Sequence, residues 1–124
     1  MKDYNTILFL SSEFPPGPGG IGNHAWNLCK ELNNHIPVHV LTVSDYADEN
    51  QCVKFDNEET MYIYRFKKYK LSLLTYVKRI YDIVRHIKKC NYSHCFLSGR
   101  FSLYTSSIIC YFLGSKKLIG ILHG

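Results

Sequence analysis

The sequence contains no run approaching the roughly eighteen apolar residues that a membrane-spanning helix needs, so no such helix is expected. The apolar run near the start, Ile7 to Leu10, is too short for a signal-peptide core and has an acid, Asp3, ahead of it. There is no C-x-x-C pair, and the cysteines are odd in number, five, at positions 29, 52, 90, 95 and 110. A disulfide framework and a zinc site are both disfavoured by that pattern, and a reducing, cytoplasmic setting is expected. The sequon Asn91-Tyr92-Ser93 would matter only in a secreted protein. Internal repeats, low-complexity tracts and recognisable nucleic-acid reader motifs are all lacking, so solenoid, linker and sequence-reading roles have no support.

What is present is an ordinary globular composition: 124 residues, 46% hydrophobic and 20% charged, enough for one domain with its own core. Fifteen Lys and Arg against ten Asp and Glu leave a formal charge of +5, which favours anionic partners. Thr6 to Ser11 is a nearly continuous apolar run, the pattern of a strand buried on both faces of a parallel sheet. A proline- and glycine-rich stretch follows, and Ile21, Ala25, Leu28 and Leu32 then recur at helical spacing, with Asn23, Asn27, Lys30 and Glu31 outward. That helix stops at Asn33 to Pro37, where asparagine is expected to take a left-handed terminal position.

Val38 to Ser44 reads as a second buried strand, Asp45 to Thr60 as a polar loop with a short strand near Val53, and Met61 to Phe66 as a third strand. Within the loop, Asp56-Asn57-Glu58-Glu59 reads as a solvated acidic turn, and no metal is expected. After FKKYK at Phe66 to Lys70, a long basic helix carries Leu73, Leu74, Val77, Ile80, Tyr81, Val84 and Ile87 as its apolar stripe. Lys78, Arg79, Arg85, Lys88 and Lys89 flank it. Two readings stay open: the stripe packs on the sheet, or it docks with its bases on an anionic membrane. Cys95 to Ser98 reads as a strand, Phe101 to Leu113 as a helix and Lys117 to Leu122 as a last strand. Alternating strands and helices predict a doubly wound parallel α/β sheet. Ending directly after a strand, the sequence reads as the first half of something longer.

Chemistry concentrates at Ser11 to Leu32. Gly17, Gly19, Gly20 and Gly22 leave backbone amides uncovered where a helix opens, an arrangement that attracts phosphate, although the same glycines would serve a tight turn. Gly17 to Gly22 also matches G-x-G-x-x-G, with Asp45 placed to meet a ribose, so an NAD(P)-binding oxidoreductase domain is one alternative. His24 either faces the cleft from the first turn or packs beside Leu28. His123 by itself reads as a strand-end histidine bonded to a neighbouring loop.

The order Pro15, Pro16, Gly19, Gly20, Gly22, His24, Leu28, Leu32 and then Val38-His39-Val40-Leu41-Thr42 resembles the N-terminal domain of GT-B glycosyltransferases of family 4, as does the terminal His123-Gly124. The resemblance implies the Rossmann-like N-terminal, acceptor-side half of a GT-B architecture. It further implies transfer of a sugar from a nucleotide-sugar to a glycan or lipid-linked acceptor with retention of configuration, as in polysaccharide biosynthesis. On that basis His123 would contact the transferred sugar, Gly19, Gly20 and Gly22 the donor phosphates, and His24 and Gly124 the substrate. Lys67, Lys68, Lys70, Lys78 and Arg79 would meet the acceptor or the inner face of the membrane. The nucleotide-sugar is a co-substrate, and no cofactor is implied. Asn34 stands where the family often has a glycine, and the family's pair of glutamates separated by seven residues does not occur. A domain lacking that pair is expected to be inactive alone and to need a second GT-B half chain or domain; the other alternative is a non-catalytic phosphate-binding module.

Overall fold

The computed structural model describes residues 6–43, 47–90 and 92–99, and the backbone of 118–121. In chain order these form β1 (Thr6–Ser11), α1 (Gly20–Asn33), β2 (Val38–Thr42), α2 (Glu49–Glu58), β3 (Tyr62–Arg65), α3 (Ser72–Lys89), β4 (Tyr92–Ser98) and β5 (Leu118–Ile121). The five strands make one sheet in the order β3-β2-β1-β4-β5, every pairing parallel. This is the doubly wound, Rossmann-like α/β sheet that the alternation of elements predicts. The expected helix at Phe101 to Leu113, together with Asp45, His123 and Gly124, lies outside the described residues.

β1 shows why the apolar run needed two covers. Leu8 and Leu10 enter one core with Leu41, Ile83 and Ile87, so that face is closed by α3. Ile7 and Phe9 enter the other with Ala25, Cys29 and Val40, closed by α1. Leu8, Phe9 and Leu10 are completely buried, as a strand covered on both faces requires.

Three expectations are corrected. The loop from Asp45 to Thr60, with its strand near Val53, is largely a helix, α2, and Asp56 to Glu58 belong to its last turn. Its start is fixed by a capping box: Asp48 accepts from the Gln51 amide, and the Gln51 side chain accepts from the Asp48 amide. Second, Asn34 ends α1 with ordinary right-handed geometry (φ −69°) rather than a left-handed one. The closure comes from Asn33, whose side chain accepts from the Val38 amide and donates to Thr60 Oγ1.

Third, most of the apolar stripe of α3 does not pack on the sheet. The buried residues of α3 are Thr75, Asp82, Ile83, His86 and Ile87, so of the expected stripe only Ile87 is fully enclosed. Leu73, Leu74, Val77 and Tyr81 are exposed. Polar residues can occupy the inner face because β3 supplies their partners: Tyr64 donates to Asp82 Oδ2 (3.0 Å), and Tyr62 Oη lies 3.0 Å from His86 Nε2. His86 Nδ1 donates to the Asp82 carbonyl (2.8 Å), and in the neutral ring Nε2 then accepts from Tyr62.

Burial lowers the His86 pKa below its usual value, with repulsion from Arg85 and Lys89 adding to the effect and the bond to the Asp82 carbonyl opposing it. The unfolded chain therefore takes up a proton near pH 6.5 that the folded chain resists, and stability falls as pH drops through that region. The urea midpoint should be lower at pH 5.5 than at pH 7.5, and His86→Asn should flatten that slope.

Candidate functional site

All five strands run in parallel, so their carboxyl ends share one edge, and the chain leaves the sheet in opposite directions from β1 and β4. Open α/β sheets hold ligands at this switch point. The Ser12 amide donates to the Ser98 carbonyl (3.1 Å), tying the ends of β1 and β4 together, and Thr42 Oγ1 donates to the Ser11 carbonyl (2.9 Å), adding β2. Gly99, just past β4, has φ 84°, and a Cβ there would collide with the Ser12 side chain. Only glycine lets the two loops approach this closely.

The loop Ser12–Gly19 then carries the chain to α1, with a cis bond between Pro15 and Pro16. It is held from the far side by Arg65, at the end of β3, which uses its fork fully. Nε and Nη2 donate to both oxygens of Asp56 at 2.9 to 3.2 Å, Nη1 donates to the Val43 carbonyl (2.9 Å), and Nη2 also donates to the Pro15 carbonyl (2.6 Å). The Arg65 side chain is 10% exposed. One guanidinium thus joins the proline loop, β2 and α2. Sequence reading missed both members, because Asp56 looked like a solvated acid; the cue was the Asp48/Gln51 box, which puts Asp56 on a helix.

The predicted site residues separate into distinct roles. Gly22 is buried against the loop backbone: a Cβ on it would stand 3.1 Å from the Phe14 nitrogen, so it serves close packing of α1 beneath the loop. Gly20 is exposed, with open space where its side chain would be. Gly19 caps α1 with no side-chain cap bond, and no acid lies in the first turn. An acid does approach from the loop: Glu13 Oε1 lies 2.6 Å from where a Gly19 Cβ would stand. A carboxylate therefore already occupies the vicinity of the helix N-terminus where phosphate was expected. It competes with an incoming anion. Glu13→Gln should tighten phosphate-ligand binding by about 1 kcal/mol, roughly fivefold, as read by titration with UDP. His24 is exposed on the first turn of α1.

At the same edge, beyond β3, a pocket of about 480 Å³ is lined by Glu49, Val53, Phe66, Lys67, Lys68 and Tyr69, with the Arg65–Asp56 pair forming part of its wall. Lys67, Lys68 and Lys70 are exposed. Lys78 and Arg79 are placed differently: Lys78 donates to Asp82 Oδ1 (2.9 Å), which raises its pKa, and Arg79 is half-buried. Burial pushes the Cys52 thiol, also in the pocket lining, above its usual range.

Fold and loops together define a Rossmann-like α/β domain whose glycine loop, Gly99 and basic pocket share the carboxyl edge of the sheet. No protein-family model matches this sequence, and no curated protein is significantly similar to it. Among the described residues no helix is long and apolar enough to cross a membrane, and no group of metal-ligating side chains comes together.

Proposed function

We propose that the domain is the acceptor-side half of a retaining glycosyltransferase of the GT-B type, passing a sugar from a nucleotide-sugar to a glycan or lipid-linked acceptor. The observation that carries the reading is the meeting of the Pro-Pro-Gly loop with Gly99 at the switch point, beside a pocket bearing Lys67 and Lys68. The loop Ser12–Gly19 also weighs against a dinucleotide site, where the first glycine follows the strand at once.

Departure of a nucleoside diphosphate is eased by donors fixed where negative charge develops. Amides at the α1 N-terminus supply some of that, but a helix terminus contributes about 2 kcal/mol at best, against roughly 8 for micromolar affinity. A second domain outside these 124 residues holds the nucleotide, and Glu13 turns aside as the phosphates arrive. His24, exposed on the first turn of α1, faces the sugar in this reading, and the resemblance assigns sugar contact to His123 and Gly124 as well. The purified chain supplied with UDP- and GDP-sugars should release no nucleoside diphosphate; sustained turnover would overturn the half-site reading.

The acceptor resides on the cytoplasmic face of a membrane, and α3 docks there. The outward side of α3 presents Leu73, Leu74, Val77 and Tyr81, preceded by exposed Leu71 and by Lys67, Lys68 and Lys70, and no acid occurs between Thr60 and Tyr81. An exposed apolar stripe with bases beside it suits an anionic lipid surface, the stripe meeting the acyl boundary and the bases the headgroups.

A further inference from the structure

The opposite, amino edge of the sheet carries a cavity that none of the chemistry above uses. His39 and Tyr62, register partners near the starts of β2 and β3, face the last turns of α3, and with Arg85, His86, Lys89 and Cys90 they enclose about 260 Å³. Its walls are tied in place. His39 Nδ1 lies 3.0 Å from the Tyr92 hydroxyl, Tyr62 donates to His86, and the His39 and Tyr62 rings are 4.9 Å apart.

The charge in this cavity is unbalanced. Asp82 already takes Lys78 on Oδ1 and Tyr64 on Oδ2, leaving Arg85 a long ion pair to Oδ1 at 3.7 Å. Arg85 Nε is buried and has no hydrogen-bond partner among the described residues. Lys89 adds a second cation, and no carboxylate lines the cavity. The C-terminus of α3 opposes an anion, but it carries only about half an elementary charge, and the three cations Lys78, Arg85 and Lys89 have the single carboxylate of Asp82 among them. A buried donor nitrogen without an acceptor is costly, and a guanidinium fork matches phosphate oxygens.

We infer that this cavity is a second ligand site, taking the phosphate group of a small phosphomonoester between Arg85 and Lys89. The phosphate oxygens accept from the Arg85 fork and the Lys89 ammonium, and the remaining volume holds the organic body against His39 and Tyr62. Neutral His86 stays engaged with Tyr62 and forms part of the wall. The site stands apart from the carboxyl edge and does not depend on the glycosyltransferase reading.

The test is an amide-shift titration of the full chain with inorganic phosphate and with glycerol 3-phosphate at constant ionic strength. Saturable shifts of the Tyr62, Lys89 and Cys90 amides are expected, with Arg85→Gln weakening them at least tenfold. Lys89→Gln should weaken them several-fold, and Lys54→Gln, at an exposed position on α2, should leave them unchanged. Both lining cations are partly or wholly exposed, so the variants fold, and unchanged urea midpoints confirm it. Vesicles containing phosphatidic acid distinguish the source: binding to them that is lost in Arg85→Gln, without binding of free glycerol 3-phosphate, assigns a lipid headgroup. Shifts confined to Gly19, Gly20 and Gly99, binding undiminished in Arg85→Gln, or no saturable binding to either form would overturn the proposal.

Discussion

Arg65→Ala should cost about 3 kcal/mol of folding stability, because it strands the Asp56 carboxylate together with two main-chain carbonyls. Asp56 keeps 22% side-chain exposure, which holds the loss to the lower end of what breaking an enclosed pair costs. For a chain of this length the melting temperature should drop by roughly 10 °C or more. The contrast within the molecule is the His35–Glu31 pair at 3.9 Å, whose side chains are 73% and 75% exposed; Glu31→Ala should change stability by less than about 0.5 kcal/mol. Arg65→Lys should recover little, since an ammonium cannot serve both oxygens of Asp56 and the Val43 and Pro15 carbonyls at once. Both Arg65 variants should loosen the proline loop, read as faster hydrogen exchange at the Asn23 amide, which donates to the Gly19 carbonyl where the loop meets α1.

The triple change Lys67→Gln, Lys68→Gln and Lys70→Gln should weaken binding to phosphatidylserine vesicles about a hundredfold. Each lysine near an anionic leaflet contributes about 1 kcal/mol, and three act together. Leu73→Ser with Val77→Ser should weaken it further by removing the inserted apolar surface, while the folding stability read by urea titration stays within about 0.5 kcal/mol because Leu73 and Val77 are 75% and 54% exposed. Raising salt should suppress the lysine contribution and spare the apolar one. Equal vesicle binding by parent and triple variant would remove the membrane from the account and leave the stripe of α3 to a protein partner.

Much of this architecture was legible because its signals are local. The apolar run of β1 and the β-branched run of β2 announce strands buried on both faces, and the spacing of Ala25, Leu28 and Leu32 announces α1; Ala25 packs in the core while Leu28 and Leu32 pack against its margin. What stayed hidden depends on partners distant in sequence. The rotation of α3 about its axis is decided by Tyr62 and Tyr64, which make Asp82 and His86 acceptable inside. Hydrophobicity alone left open whether the apolar stripe faced the sheet or a membrane. Asp56 likewise looked solvated until Arg65, nine residues on, was seen to enclose it. At the glycine loop, spacing revealed the uncovered helix start but not that Glu13 folds back to it, a contact made by tertiary geometry.

The most direct test of the carboxyl-edge site is an amide-shift titration of the chain with UDP, GDP and NAD. A nucleoside diphosphate should move the Gly19, Gly20 and Gly99 resonances with a millimolar dissociation constant, tightening about fivefold in Glu13→Gln, while NAD binds no better than free phosphate. Micromolar binding of NAD, or nucleoside diphosphates that leave those glycines unmoved in both proteins, would contradict the reading.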